Sequence, residues 1–166
     1  MRNVVTLIFS TLLLGAMLPD ALRAQAAEQP APANPRAYSG MYTFLKEGEF
    51  VQVTVEDEAR VTGFISRYGD GESDKGTFLN QFFKTAKLEG NQLSFTTKEV
   101  HGTWFEFKGT VERGEGKNPG DEAYYVLKGT LVENTTDEAK KTSSRSRQVA
   151  LKSFPQDMAL PPPQKK

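Results

Sequence analysis

His101 is the only histidine in the chain, so general-base chemistry near neutral pH would fall to it first. A triad also needs a nucleophile and a group that orients the base, converging in space. Spacing identifies neither, and His101-Gly102 just before Trp104 reads as a turn whose imidazole packs on an aromatic neighbour. No cysteine is present, which excludes thiol catalysis, thiolate metal sites and disulfides. Zinc sites built on imidazole normally use several of them, so no metal centre is expected. Asp70-Gly71-Glu72-Ser73-Asp74 is the densest group of carboxylates, and alternating acids in a Gly-containing loop can bind calcium through oxygen. The calcium loop, however, needs Gly at its sixth place and an acid at its twelfth, where Lys75 and Gln81 stand. A solvated acidic turn is the expectation. Two carboxylates could also hydrolyse a glycoside, but only at a fixed separation across a cleft. No residue is assigned a catalytic role.

The aromatic residues carry more information. Tyr42, Phe44, Phe64, Phe78, Phe82, Trp104 and Tyr124 could line the mouth of a barrel, where aromatic walls make a ligand site. Tyr42, Phe64, Phe82, Trp104 and Tyr124 are the candidate ligand contacts. Trp104, Glu106 and Lys108 share one face of a strand, with Phe105 and Phe107 on the other. Turning the phenylalanines inward avoids burying a carboxylate and an ammonium, which leaves Trp104 outside. Asn134-Thr135-Thr136 matches a glycosylation acceptor, a tripeptide that also arises by chance.

These residues sit on segments that alternate with the two-residue period of strands. Val51, Val53 and Val55 fall on one side of a strand. Val61, Gly63 and Ile65 do so in the next, and Leu93, Phe95 and Thr97 follow the Gly90-Asn91 turn. A short echo, Phe107-Lys108-Gly109-Thr110-Val111 and Leu127-Lys128-Gly129-Thr130-Leu131, places glycines at matched points of two strands. Such glycines mark a close approach of two backbones. Val149 and Leu151 face inward on a last strand. Phe78, Leu79, Phe82, Phe83 and Ala86 have mixed spacing that also allows a helix; a strand with Phe78, Phe82 and Ala86 on one face is preferred. The expected strands are 38–45, 49–56, 59–67, 77–88, 92–100, 103–112, 122–133 and 146–154. About eight strands at near ten-residue spacing, joined by short links, predict an all-β fold: a single antiparallel up-and-down barrel.

Arg2, the apolar run from Val4 to Leu14 and the small-x-small Ala24-Gln25-Ala26 have the layout of a secretory signal peptide over residues 1–26. Its apolar segment is short for a membrane span, which needs about 20 residues, and no later segment could serve. Residues 27–37 read as an Ala/Pro-rich linker, 38–154 as the barrel and 155–166 as a disordered Pro/Lys tail. Cleavage after Ala26 would leave one acidic charge in excess, giving no reason to bind nucleic acid or an anionic membrane. An exported monomer, periplasmic or extracellular, is expected.

Gly40-Met41-Tyr42 on the first strand resembles the Gly-x-Trp with which the lipocalin and avidin families open. Arg145 or Arg147, near the last strand, resembles the lipocalin arginine that packs on that first aromatic. The segment from Val100 to Phe107 resembles small bacterial exported proteins without an assigned activity. The resemblance implies a ligand-holding barrel and carries over no ligand residue. Three functions follow as expectations. The first is a non-enzymatic β-barrel, without cofactor, that binds a small apolar or amphipathic ligand. The alternative is an interaction module of the cell envelope whose barrel is filled by side chains. The third is a hydrolase or isomerase using His101 and loop carboxylates.

Overall fold

The computed structural model describes residues 34–156, Ser73 excepted. The leader, most of the linker and residues 157–166 of the tail lie outside the described residues.

All eight expected strands form: β1 (Gly40–Thr43), β2 (Phe50–Val55), β3 (Val61–Tyr68), β4 (Phe78–Glu89), β5 (Gln92–Thr97), β6 (Thr103–Arg113), β7 (Tyr125–Thr136) and β8 (Thr142–Lys152). Each pairs antiparallel with its sequence neighbour, so the sheet order is the chain order. The sheet curls until its edges meet over a short seam. There Tyr42 bridges Ser153, and the Phe154 N–H donates to the Met41 carbonyl at 2.8 Å. Beyond Thr43 the first strand has ended, and the outer edge of β8 stays open. The result is an up-and-down half-barrel. Within the stretch read as linker, Pro35–Tyr38 forms a 3₁₀ turn capped by the Asn34 side chain, and Arg36 pairs with Asp57.

The inward side chains follow the alternation of the sequence. Val51, Val53, Val55, Ile65, Leu93, Phe95, Phe105, Phe107, Leu127, Leu131 and Leu151 make one buried cluster. Phe83, Phe95 and Phe107 stack across β4, β5 and β6, with centroids 4.3 and 5.2 Å apart. Gly109 and Gly129 are directly paired. A Cβ at Gly109 would stand 2.1 Å from the Lys128 carbonyl oxygen, and one at Gly129 2.4 Å from that of Lys108. The echo therefore marks a close backbone approach, as its glycines imply.

The mixed spacing of β4 has a physical cause. A bulge between Phe83 and Thr85 shifts its register against β5 by one residue, which sends later side chains to the opposite face. Phe78 and Phe82 consequently point out while Ala86 packs against the core, correcting the expectation that all three share one face. At the same place the β3–β4 ladder stops. It runs from Tyr68↔Phe78 to Phe64↔Phe82, and the start of β3 faces the end of β4 across a fissure in the wall.

A candidate ligand groove in the outer wall

The barrel interior is filled. Tyr42, Phe105, Ile65, Leu93, Leu127 and Leu131 are all fully buried side chains within it. One end of it is closed by a polar cluster. Arg67, 4% exposed, donates from Nε to Gln81 Oε1 at 2.6 Å and from Nη1 to Asp70 Oδ2 at 2.8 Å. Gln81 donates in turn to the Thr103 carbonyl at 2.7 Å, and the guanidinium lies 5.7 Å from the centre of the Phe105 ring. Sequence reasoning missed this cluster, because an arginine and a glutamine on strands look like any solvent-facing pair.

The five candidate ligand contacts do not line a common mouth. Tyr42 lies in the core, 1% exposed, and its hydroxyl donates to the Tyr38 carbonyl at 2.7 Å. Burial, then the nearby Tyr125 and Tyr38 phenols, push its pKa well above the ordinary tyrosine value. Trp104 stands on the outer face beside Glu106, while Phe105 and Phe107 turn in, the arrangement expected from the cost of burying charge. Tyr124 lies at the opposite rim, where the Arg113 guanidinium sits 3.3 Å over its ring. Tyr42 and Tyr124 do share a cleft of about 400 Å³ beside the β1–β8 seam. Neither Arg145 nor Arg147 stacks on Tyr42 among the described residues. Arg147 pairs with Glu133 at 2.5 Å, so the resemblance to the lipocalin arginine ends there.

Phe64 and Phe82 are brought together. They face each other across β3 and β4 with ring centres 5.5 Å apart, and Phe50 extends the row from β2 at 5.8 Å. They border the wall fissure, a groove of about 520 Å³ walled by Gln52, Thr54, Thr62, Lys84 and Lys98, with Gly63 and Phe83 also lining it. Gly63 is required there, since a Cβ would meet the Gln52 carbonyl oxygen at 2.0 Å and the Phe83 ring at 2.6 Å. Lys98 is fixed near the groove because its N–H donates to the Phe82 carbonyl at 2.7 Å. No carboxylate lines the groove, and among the described residues neither Lys84 nor Lys98 makes an ion pair. Phe82 is 55% exposed and Phe78, in contact with Tyr68 at 4.4 Å, is 46% exposed. The lysines escaped the sequence reading because only the bulge and the broken ladder bring them to one opening.

The other chemistry-bearing residues are accounted for by local structure. His101 lies at the β5–β6 turn in a left-handed conformation (φ 50°), and its Nδ1 pairs with Asp74 rather than with an aromatic ring. Asp70 pairs with Lys46 and Arg67. The Asn134 amide is buried, donating to Glu106 at 3.1 Å and accepting from Ser144 at 2.6 Å.

Fold and groove together describe a class: an all-β, up-and-down half-barrel with its openings on the outside of the wall, fitting the architecture expected of the lipocalin and avidin type. No family model matches the chain, and no curated protein matches it. Among solved structures it is similar to the bradavidin2–biotin complex, at 11% sequence identity and a TM-score of 0.46, over 69% of this chain and 95% of that one.

Proposed function

We propose that this is an exported, non-enzymatic binding protein that holds a small amphipathic molecule in the β3–β4 groove rather than inside the barrel. The observation that carries this reading is the groove itself: about 520 Å³, within the ordinary size of ligand sites. It has the exposed Phe82 ring beside the half-buried Phe64 for an apolar body, and two ammonium groups, unpaired among the described residues, for an acidic end. The packed interior argues against a carrier of the enclosed kind. A second reading, docking of an envelope protein, is favoured by a second outward aromatic pair, Tyr68 and Phe78, on the far side of the Ser66–Asn80 pair of the same strands, because exposed apolar surface marks interaction sites.

The test uses 8-anilinonaphthalene-1-sulfonate, an aromatic anion, titrated by fluorescence. Binding should weaken at least tenfold in Phe64→Ala/Phe82→Ala and several-fold in Lys84→Gln/Lys98→Gln, with the melting temperature of the lysine variant unchanged. Equal binding by both variants would remove the groove from the function. Intact mass of protein recovered outside the host cytoplasm should begin at Ala27; retention of residues 1–26 would overturn export.

A further inference from the structure

The outer edge of β8 lies apart from the groove and is unpaired beyond the short seam with β1. The Ser153 N–H donates to the Tyr125 carbonyl at 2.9 Å, and the Ser153 carbonyl accepts from Ala123 at 2.8 Å. Both groups point toward β7. The flanking N–H groups point the other way, Lys152 to Thr43 Oγ1 at 2.9 Å and Phe154 to the Met41 carbonyl at 2.8 Å. Backbone groups alternate sides along a strand, and the β7–β8 register has no shift from Thr136↔Thr142 to Val126↔Lys152. Ser144, Ser146, Gln148 and Ala150 therefore aim their N–H and C=O groups past the end of β1. All four residues are exposed, and among the described residues these groups have no backbone partner. An edge of this kind is a template for an added strand.

Charge selects the occupant. Arg145, Arg147 and Glu133 share the inward face of this edge. Glu133 is taken by Arg147, which leaves Arg145 exposed with no acid of its own among the described residues. The Arg147 Nε is buried and lacks an acceptor, although a buried donor ordinarily has one. A second copy of β8 would set the arginines of the two chains against each other on one face, a destabilising arrangement. We propose that the β8 edge receives an extended acidic peptide segment as a ninth, antiparallel strand, its carboxylates on Arg145 and Arg147.

The experiment titrates the full folded chain into fluorescein-labelled peptides of eight alternating Glu and Val residues, or eight alternating Lys and Val residues, and reads anisotropy at low salt. The Glu peptide should bind at least tenfold more tightly than the Lys peptide. Ser146→Pro removes an N–H that faces only the added strand, so it should weaken the Glu peptide at least tenfold while the circular dichroism spectrum is retained. Arg145→Glu should reverse the preference between peptides, which keeps the test valid if the proline variant fails to fold. Equal affinity for both peptides, or Glu-peptide binding unaltered in a folded Ser146→Pro protein, would overturn the proposal. So would a dimer seen by sedimentation that Ser146→Pro dissolves, because the occupant would then be a second copy.

Discussion

Replacing Gly129 by alanine tests the close approach of β6 and β7. Its Cβ would stand 2.4 Å from the Lys108 carbonyl oxygen and 2.5 Å from the Gly109 Cα. Both are backbone atoms of a strand held by β5 on its other side. Neither can turn away, so β6 and β7 must separate by about 1 Å to reach ordinary contact, and overpacking of this kind costs about 1–3 kcal/mol. The upper end applies because the neighbour is backbone. Alanine also restricts the unfolded chain, which returns about 0.4–1 kcal/mol. The net loss is then about 2 kcal/mol. For a folded body of about 120 residues the unfolding entropy is roughly 0.25 kcal/mol per kelvin, which puts the fall in melting temperature at about 8 °C. Gly109→Ala should behave alike, and the double variant should lose less than the two single losses combined, since one separation relieves both clashes. Gly40→Ala is the control, because nothing lies within 4 Å of its added Cβ; its melting temperature should move by less than 2 °C, about 0.5 kcal/mol. Thermal melts followed by far-ultraviolet circular dichroism decide the matter. A Gly129→Ala protein as stable as the parent would refute the close approach, and with it the packing of the interior around that point.

Two further outcomes follow from buried groups. Arg67→Met leaves the fully buried Gln81 without its donor and should destabilise by about 2–4 kcal/mol in urea melts, whereas Arg67→Met/Gln81→Leu should lose less than the sum of the single changes; strict additivity would deny the cluster. The Tyr42 phenol stays protonated when folded but ionises near its ordinary value of 10.0 when unfolded. Its contribution is complete below that pH and is lost as pH rises toward the folded value, so Tyr42→Phe should flatten the fall of stability above about pH 10; an unchanged slope would place the titration elsewhere.

Strand count, order and most inward faces were legible because they rest on alternation, and alternation survives wherever one face is buried. Val51, Val53 and Val55 pack as their spacing requires, and the matched glycines meet. Legibility failed where one residue breaks the period. The β4 bulge sets Phe82 outward and Ala86 inward, a change no local pattern announces, because its cause is the pairing partner. The candidate site failed for a related reason. Phe64 and Phe82 are among the expected aromatic contacts, but a barrel mouth lined by the seven expected rings requires a closed wall around an open middle. Rings such as Phe105 and Phe107 occupy that space instead. Lys84 and Lys98 become neighbours only through the interrupted ladder. Tyr42 kept its place on the first strand, yet its hydroxyl answers to the Tyr38 backbone rather than to a ligand.

The short β1–β8 seam bears on how the chain could be rewired. The two extremities of the folded body lie side by side, with Phe154 bonded to Met41, while every other strand pairing joins sequence neighbours. A brief linker across that point, with fresh termini cut at the Gly90-Asn91 hairpin, where Gly90 is exposed, would preserve each ladder and turn the hardest encounter, between residues 109 positions apart, into a local one. Circular permutation at this site should nevertheless slow assembly, since it exchanges a seam of one bridge for a β4–β5 ladder that must then close between the two ends of the chain, and folding slows as contacting residues grow more distant along the chain.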